Sequence, residues 1–339
     1  MTTLYFAIEN ALIVLTMESG QGRCDLRLEG HNIACVTVDP VRPQFVYCGT
    51  FDSGLWQSDN GGKSWRPAGE GLPHSKIQSV AVSRSERLKG RGIVYAGTEP
   101  SAIFRSQDAG ETWQECDCLT ALPSANEWSF PPRPETHHVR WIEPDFSVPG
   151  RLFAAIEAGA LIRSLDAGTT WQDRVAGSPR DTHQLWIHPS SPGQILSAAG
   201  DGCFESRDGG DTWKRFEEGL RHRYLWSIAV DTADSDNIIL SAASSARHSH
   251  SEPAESCLYR RKGDSPWQEL RDGLPNPAGR HSAILAAHPE KPGTFFAAWE
   301  HDLFHSVNGG ASWHRLDIAW PEGRRVNETC ALAVAETSS

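Results

Sequence analysis

Short runs of β-branched, aromatic and aliphatic residues recur along the chain, and Gly, Pro, Asp or Ser punctuate them. The runs come in threes. ACVTVD, QFVYCGT and GLWQSD form the first trio, SVAVS, IVYAGT and AIFRS the second, and VRWIE, RLFAAIE and ALIRS the third. LWIH, QILSAAG and CFESR follow, then SIAVD, NIILSAA and CLYRR, and finally AILAAH, TFFAAWE and DLFHS. Runs of this length and composition predict strands. Pro-bearing stretches such as DPVRPQ, HPSSPGQ and HPEKPGT join the first run of a trio to the second, and they suit tight reversals.

Most trios end in one octapeptide. SRDGGDTW occupies positions 206–213; SDNGGKSW (58–65), SQDAGETW (106–113), SLDAGTTW (164–171) and SVNGGASW (306–313) repeat its pattern, S-x-[DN]-x-G-x-[TS]-W. RRKGDSPW, ending at Trp267, and TMESGQG, beginning at Thr16, are worn copies. The aligned tryptophans fall about 42 to 58 residues apart, a spacing that reads as a repeat array. A single Gly-rich stretch beside an acid could cradle a phosphate or a calcium ion. Five copies read instead as a hairpin turn. The Asp or Asn side chain accepts nearby backbone N–H groups, and Gly supplies positive φ. The versions with Asn60 and Asn308 favour the turn, because an amide is a poorer cation ligand than a carboxylate.

These octapeptides resemble the Asp-box, or BNR repeat, of sialidases, sortilin-type receptors, xyloglucan-cleaving glycosidases and photosystem II assembly factors. In those families the box closes the hairpin between the third and fourth strands of a β-propeller blade. The resemblance covers essentially the whole chain and implies an all-β fold of four-stranded antiparallel blades. The six trios give six blades. LYFAIEN, ALIVLTMES and CDLRLEG match the second, third and fourth strands of a seventh, and TCALAVAE, residues 329–336, matches its first. The expectation is therefore one domain over residues 1–339, a seven-bladed β-propeller closed by both terminal strands. Its blades would span about 31–74, 75–136, 137–180, 181–221, 222–279, 280–323, and 324–339 plus 1–30. Six blades with the termini packed as an extra layer is the alternative.

A net charge of −11 argues against a nucleic-acid or anionic-membrane partner. The eight cysteines form no even framework, and Cys116-x-Cys118 has the spacing of neither a zinc ribbon nor a redox pair. The N-terminal stretch has no basic region, and Glu9 and Asn10 interrupt its apolar run, unlike a signal peptide. No segment is long enough to span a bilayer as a helix. These features predict a cytoplasmic location. The polar stretch ASSARHSHSEPAES, residues 243–256, reads as a mobile surface loop, with His248 and His250 a solvated pair.

In propellers of this build the boxes share one face. The opposite face carries the lead-ins to the first strands and the loops joining second strands to third. In sialidase-like relatives the active site lies on that opposite face, at the mouth of the central channel. Five of the seven lead-ins here carry histidine: His31, the pair His137 and His138, His183, His222 and His281. The second-to-third-strand loops add Glu9, Asp52, Glu99, Glu157, Asp201 and Glu300. Plain turn chemistry would favour Gly, Asn, Pro and Ser at such places. The expected catalytic groups are His138, His183, Glu300 and Asp52. Arg140, Arg223, Tyr224, Arg280 and Trp226 would bind substrate, the arginines holding an anion. His137, His138, His183 and His281 could hold a divalent metal, zinc or another transition metal. A one-residue shift of register exchanges His137 and His138.

Three readings of this ring follow: an enzyme of hydrolase or lyase type on a small anionic substrate, a non-catalytic scaffold gripping a peptide or protein partner, or solvated loop chemistry. A glycosidase is a further alternative. Asp52 in GTFDSGLW matches the catalytic Asp position of the xyloglucan-cleaving relatives, although those have two propellers and a cleft between them. The sialidase Arg-Ile-Pro signature is absent, and Tyr224 beside Arg223 is the remaining hint of that family. The photosystem assembly factors resemble the chain in length and single-propeller build. Oligomeric state is not legible.

Overall fold

The computed structural model describes residues 1–8, 10–18, 21–300, 302–321 and 331–337. Seven small antiparallel sheets stand in a ring as a seven-bladed β-propeller. Blade 1 runs Ile33–Val38, Val46–Thr50, Leu55–Ser58 and Arg66–Pro67, and blades 2, 4, 5 and 6 repeat this order with four strands each. In blade 3 the strands Val139–Pro144, Leu152–Ile156 and Ala160–Ser164 pair in order, and a single bridge from Arg163 to Gln172 stands in for the fourth. Blade 7 is assembled from both ends of the chain: Leu332–Glu336 pairs antiparallel with Thr2–Ile8, which is followed by Ala11–Glu18 and Gln21–Arg27. The rest of the expected first strand, 329–330, the whole of the last lead-in, 324–328, and the loop acid Glu9 lie outside the described residues.

The second strand of each blade is apolar on both faces because it is walled by a blade on either side. Val46–Thr50, Leu152–Ile156, Ile195–Ala199 and Phe295–Trp299 are buried at every position. The core is therefore a set of layers between blades. Burial on both faces explains why these strands read as continuous apolar runs rather than alternating ones.

The ring closes through a polar latch as well as a strand ladder. Glu336 accepts the terminal amine of Met1 at 2.8 Å, the Thr2 hydroxyl at 3.1 Å and the Lys291 ammonium at 3.0 Å. Burial raises its pKa, but these three partners outweigh that and hold it down at about 2. His288 Nε2 lies 3.1 Å from the same carboxylate, while its Nδ1 accepts the backbone N–H groups of Glu290 and Lys291. Nδ1 is thus the lone-pair nitrogen, and the ring is neutral.

The octapeptides are turns. In SRDGGDTW the Ser206 hydroxyl donates to Asp208 and accepts from Gly210 N–H, both at 2.8 Å. Asp208 in turn accepts Thr212 N–H at 2.9 Å and the Thr212 hydroxyl at 2.6 Å. Asn60 and Asn308 keep the backbone bond, and their amide N–H groups donate to Ser64 and Ser312 instead. Gly210, at φ +91°, presses on the preceding blade, where an added Cβ would sit 2.7 Å from the Phe153 ring. Each box thus closes its own hairpin and wedges against its neighbour.

One backbone irregularity recurs on the opposite face. The first strand of blades 1 to 5 shifts register once near its start, between Ile33 and Cys35, Ile77 and Ser79, Val139 and Trp141, Thr182 and Gln184, and Leu225 and Ser227. The residues left unpaired are Ala34, Gln78, Arg140, His183 and Trp226, and all five line the central cavity. Bulges re-aim side chains; here they turn one residue per blade towards the channel mouth.

Candidate functional site at the channel mouth

Blades 3, 4 and 5 build the site. The turn after the second strand of blade 3 carries Glu157, and the lead-in to blade 4 carries Asp181. The bulges supply Arg140, His183 and Trp226. Glu157 is almost fully buried. Its Oε2 lies 2.7 Å from His138 Nε2 and 3.7 Å from Arg140 Nε, and its Oε1 lies 4.0 Å from His183 Nε2. Burial raises its pKa, but the His138 hydrogen bond and the positive charge of Arg140 prevail and bring it to about 2. Glu157 is a fixed negative charge at the mouth.

Asp181 sits beside it, with Oδ1 accepting Ala158 N–H at 2.8 Å and lying 3.7 Å from His183 Nε2. Burial raises the pKa of Asp181; the His183 ring opposes this and the Glu157 charge adds to it. Room for the carboxylate comes from Gly200, where a Cβ would overlap Asp181 Oδ2 and sit 3.0 Å from the Tyr224 ring.

His183 is the pivot. Its ring is buried, and Nδ1 lies 2.6 Å from the Leu225 carbonyl. A carbonyl only accepts, so Nδ1 carries a proton, and Nε2 is the nitrogen that faces Asp181 and Glu157. A neutral nitrogen and two carboxylate oxygens facing one another require a positive charge between them, either a proton or a metal ion. One ligand atom from each of Glu157, Asp181 and His183 lies within 4.8 Å of the others. Tetrahedral zinc with bonds of about 2.1 Å places ligand atoms roughly 3.4 Å apart, so small side-chain movements would close this set. The backbone carbonyl behind Nδ1 is the usual outer-shell partner of a metal-bound histidine.

Around this core lie aromatic and cationic groups. The Arg140 guanidinium stacks on Trp226 with 4.6 Å to the ring centroid. It makes no hydrogen bond among the described residues, and its buried Nε has only the 3.7 Å ion pair with Glu157. The Tyr224 hydroxyl lies 3.4 Å from His183 Nε2 and 3.3 Å from His250 Nε2. Burial and the nearby carboxylates raise its pKa, so it stays a phenol. His250 packs on Trp226 with 4.2 Å between centroids. Burial, and then the charges of His183 and Arg140, lower its pKa to about 4.

The structure thus brings together His138, His183, Arg140, Tyr224 and Trp226 from the expected residues. The others stand apart. His137 meets Trp128 edge-on at 5.6 Å, and burial lowers its pKa. His281 pairs with Glu300 at 3.0 Å within blade 6, and Arg280 lies over Trp299. Arg223 is exposed, 3.7 Å from Glu217, and Asp52 is exposed in its turn. Three participants stood outside the expected site: Glu157 among the loop acids, Asp181 in its lead-in, and His250. The 243–256 stretch contains a short helix, Ala246–His250, whose Ser249 is buried and hydrogen-bonded to Ser282 at 2.7 Å. His250 stays exposed, but its ring rests against Tyr224 and Trp226. Its place in a second-to-third-strand loop, on the same face as the lead-ins, was the available signal.

Below the mouth the channel holds a cavity of about 270 Å³, lined by Arg140, His183 and Trp226 and further along by Trp141, Glu143 and Trp186. No helix among the described residues is long and apolar enough to cross a membrane.

No family model matches the chain, and no curated protein matches it in sequence. Solved structures match its fold. An ancestral GH74 enzyme superposes with a TM-score of 0.62 at 15% identity over 90% of this chain, which spans only 38% of that enzyme. The structure of YCF48 bound to D1 peptide gives 0.59 at 19% identity, covering 84% of this chain and 81% of YCF48. The WD40 repeats of RRP9 give 0.57 at 12% identity over 92% of this chain. Likeness at these identities establishes a β-propeller, shared by GH74 enzymes and by a protein whose structure holds a bound peptide.

Proposed function

We propose that the protein is a hydrolase or lyase acting on a small anionic substrate at this mouth, with a divalent metal, zinc or another transition metal, held by Glu157, Asp181 and His183. The observation that carries the reading is His183 Nε2 aimed at two carboxylate oxygens 3.7 and 4.0 Å away. A bound metal would supply a Lewis acid that polarises substrate or lowers the pKa of water. The chain's own residues do the rest. Arg140, with donors unspent and its plane fixed by Trp226, receives the substrate anion. His138, buried behind Glu157, is a positioning residue that holds the carboxylate in place. Tyr224 keeps its proton and is the donor nearest His183.

Elemental analysis of purified protein equilibrated with zinc tests this. The expected result is one metal per chain in wild type and none in His183→Ala or Asp181→Asn, with the β-sheet circular dichroism of both variants retained. Metal occupancy should fall as the pH falls, because a proton competes for the same gap. Wild type that takes up no metal overturns the metal-dependent reading.

A second reading, a non-catalytic scaffold for a peptide, draws on YCF48, whose single-propeller build this chain spans more fully than it spans the GH74 enzyme. Under it, substitutions at Arg140, Trp226 and Tyr224 give graded losses of peptide capture rather than an all-or-none loss of metal.

A further inference from the structure

The first strand of blade 3 points a second charged group into the channel. Arg140 stands at the mouth, and Glu143 follows three residues later on the same strand, roughly 10 Å further along. Trp141 donates its indole N–H to Glu143 at 2.8 Å. Trp186 occupies the register position in blade 4 equivalent to Glu143 and lines the same cavity, and its indole N–H has no hydrogen-bond partner. No cation neutralises Glu143: it forms no ion pair among the described residues. Arg84, at the far end of the same cavity, lies over the Phe146 ring at 5.7 Å instead. A carboxyl group enclosed by protein, walled by indoles and facing a cavity is a place for a cation. Indole faces favour ammonium groups as well.

We propose that the channel binds an elongated ligand with an anionic group at Arg140 and a primary ammonium at Glu143, the two charges roughly 10 Å apart. This rests on the reading of Arg140 as the substrate anchor and narrows the substrate to a molecule charged at both ends. The apolar middle of the ligand would lie along Trp141 and Trp186. Binding has a proton signature. Burial, reinforced by Asp145 and only partly offset by the Trp141 hydrogen bond, raises the pKa of Glu143 to about 8. At neutral pH it is mostly a neutral acid. An incoming ammonium would drive that acid to ionise, so the proton leaves Glu143 for the buffer and the ligand keeps its own.

The test is calorimetry with ω-aminooctanoate, octanoate and octylamine, in buffers of different ionisation enthalpy. The two-ended probe should bind at least tenfold tighter than either one-ended probe. It should release close to one proton per ligand near neutral pH and almost none above pH about 9. Glu143→Gln should abolish both the advantage and the proton release while leaving octanoate affinity unchanged. Proton release by wild type needs no variant, so a poorly folding Glu143→Gln would not block the test. Equal affinity for octanoate and ω-aminooctanoate overturns the ammonium site and leaves the Arg140 anchor standing. Absence of binding by all three probes overturns the channel ligand, while metal content still decides the reading on which it rests.

Discussion

The two faces of the ring use repetition in opposite ways. On the box face the same side chains recur with the same hydrogen bonds: Ser206 to Asp208 and Gly210, Ser106 to Asp108 and Gly110, Ser164 to Asp166 and Gly168. On the lead-in face the backbone device recurs, a bulge near the start of the first strand, but the residue it presents changes: Ala34, Gln78, Arg140, His183, Trp226. A near-constant residue in a constant backbone does the same mechanical task in each of the five blades that carry the box. A constant backbone carrying a different residue in each blade composes one asymmetric surface. That surface grows chemically rich only in blades 3 to 5. In blade 2 the equivalent Gln78 faces Glu99, whose charge Lys76 and Arg133 already neutralise at 3.0 and 2.6 Å.

The division predicts that the faces fail differently. Gly210→Val on the box face forces a β-branched residue to φ +91° and a Cβ against Phe153. The expected cost is about 2–4 kcal/mol of stability, read as a fall in Tm, with metal content per folded chain unchanged. Arg140→Met on the lead-in face removes one of the positive charges beside Glu157, but Glu157 keeps its His138 hydrogen bond, so the expected loss of stability is about 1 kcal/mol, below that of Gly210→Val, while octanoate binding weakens tenfold or more. If Gly210→Val is silent, or if Arg140→Met melts the ring, the assignment of stability to one face and recognition to the other is wrong.

Repetition also decided what could be read from sequence. The strands and boxes were legible because one local rule recurs in each blade, and the seventh blade because two orphan ends matched the missing strands. The site was legible only by address. His138, His183, Arg140, Tyr224 and Trp226 were found because they stand in lead-ins. Glu157 and Asp181 stood outside the expected site because their meaning comes from a contact between blades, 4.0 and 3.7 Å from one imidazole. His137 and His138 could not be separated because the bulge that follows them shifts register by one residue, and a shift of one exchanges inward and outward positions. Glu143 gave no signal, since a mid-strand acid reads as solvent-facing until the channel is known.

Ring closure offers a smaller effect with a definite sign. Glu336 ionises in the folded chain well below its unfolded value near 4.3, at about 2. Its contribution is complete above the unfolded value and is lost as the pH falls toward 2. His288 is pushed down by burial and then by the Lys291 charge, to about 4, from an unfolded value near 6.5. The unfolded chain therefore takes up that proton first, and stability falls between pH about 6.5 and 4. Both groups make acid open the ring. Glu336→Gln should cost about 1–2 kcal/mol at neutral pH and flatten the lower limb of the profile, measured by urea unfolding across that range. An unchanged profile would mean the strand ladder alone closes the ring.

The smallest effect is the most discriminating for the box face. Asp208 is held at about 2 by the side-chain and backbone hydrogen bonds from Thr212, a depression that a cation-binding carboxylate could also show. Asn60 and Asn308 reach the same turn geometry without a charge, so Asp208→Asn should leave Tm within about 2 °C of wild type. Millimolar calcium should raise the Tm of neither protein. A calcium-dependent rise in wild type that Asp208→Asn abolishes would make the box a cation site. The repeated face would then carry chemistry of its own, because a turn needs only an acceptor oxygen at this position, whereas an exposed calcium site needs its negative charge.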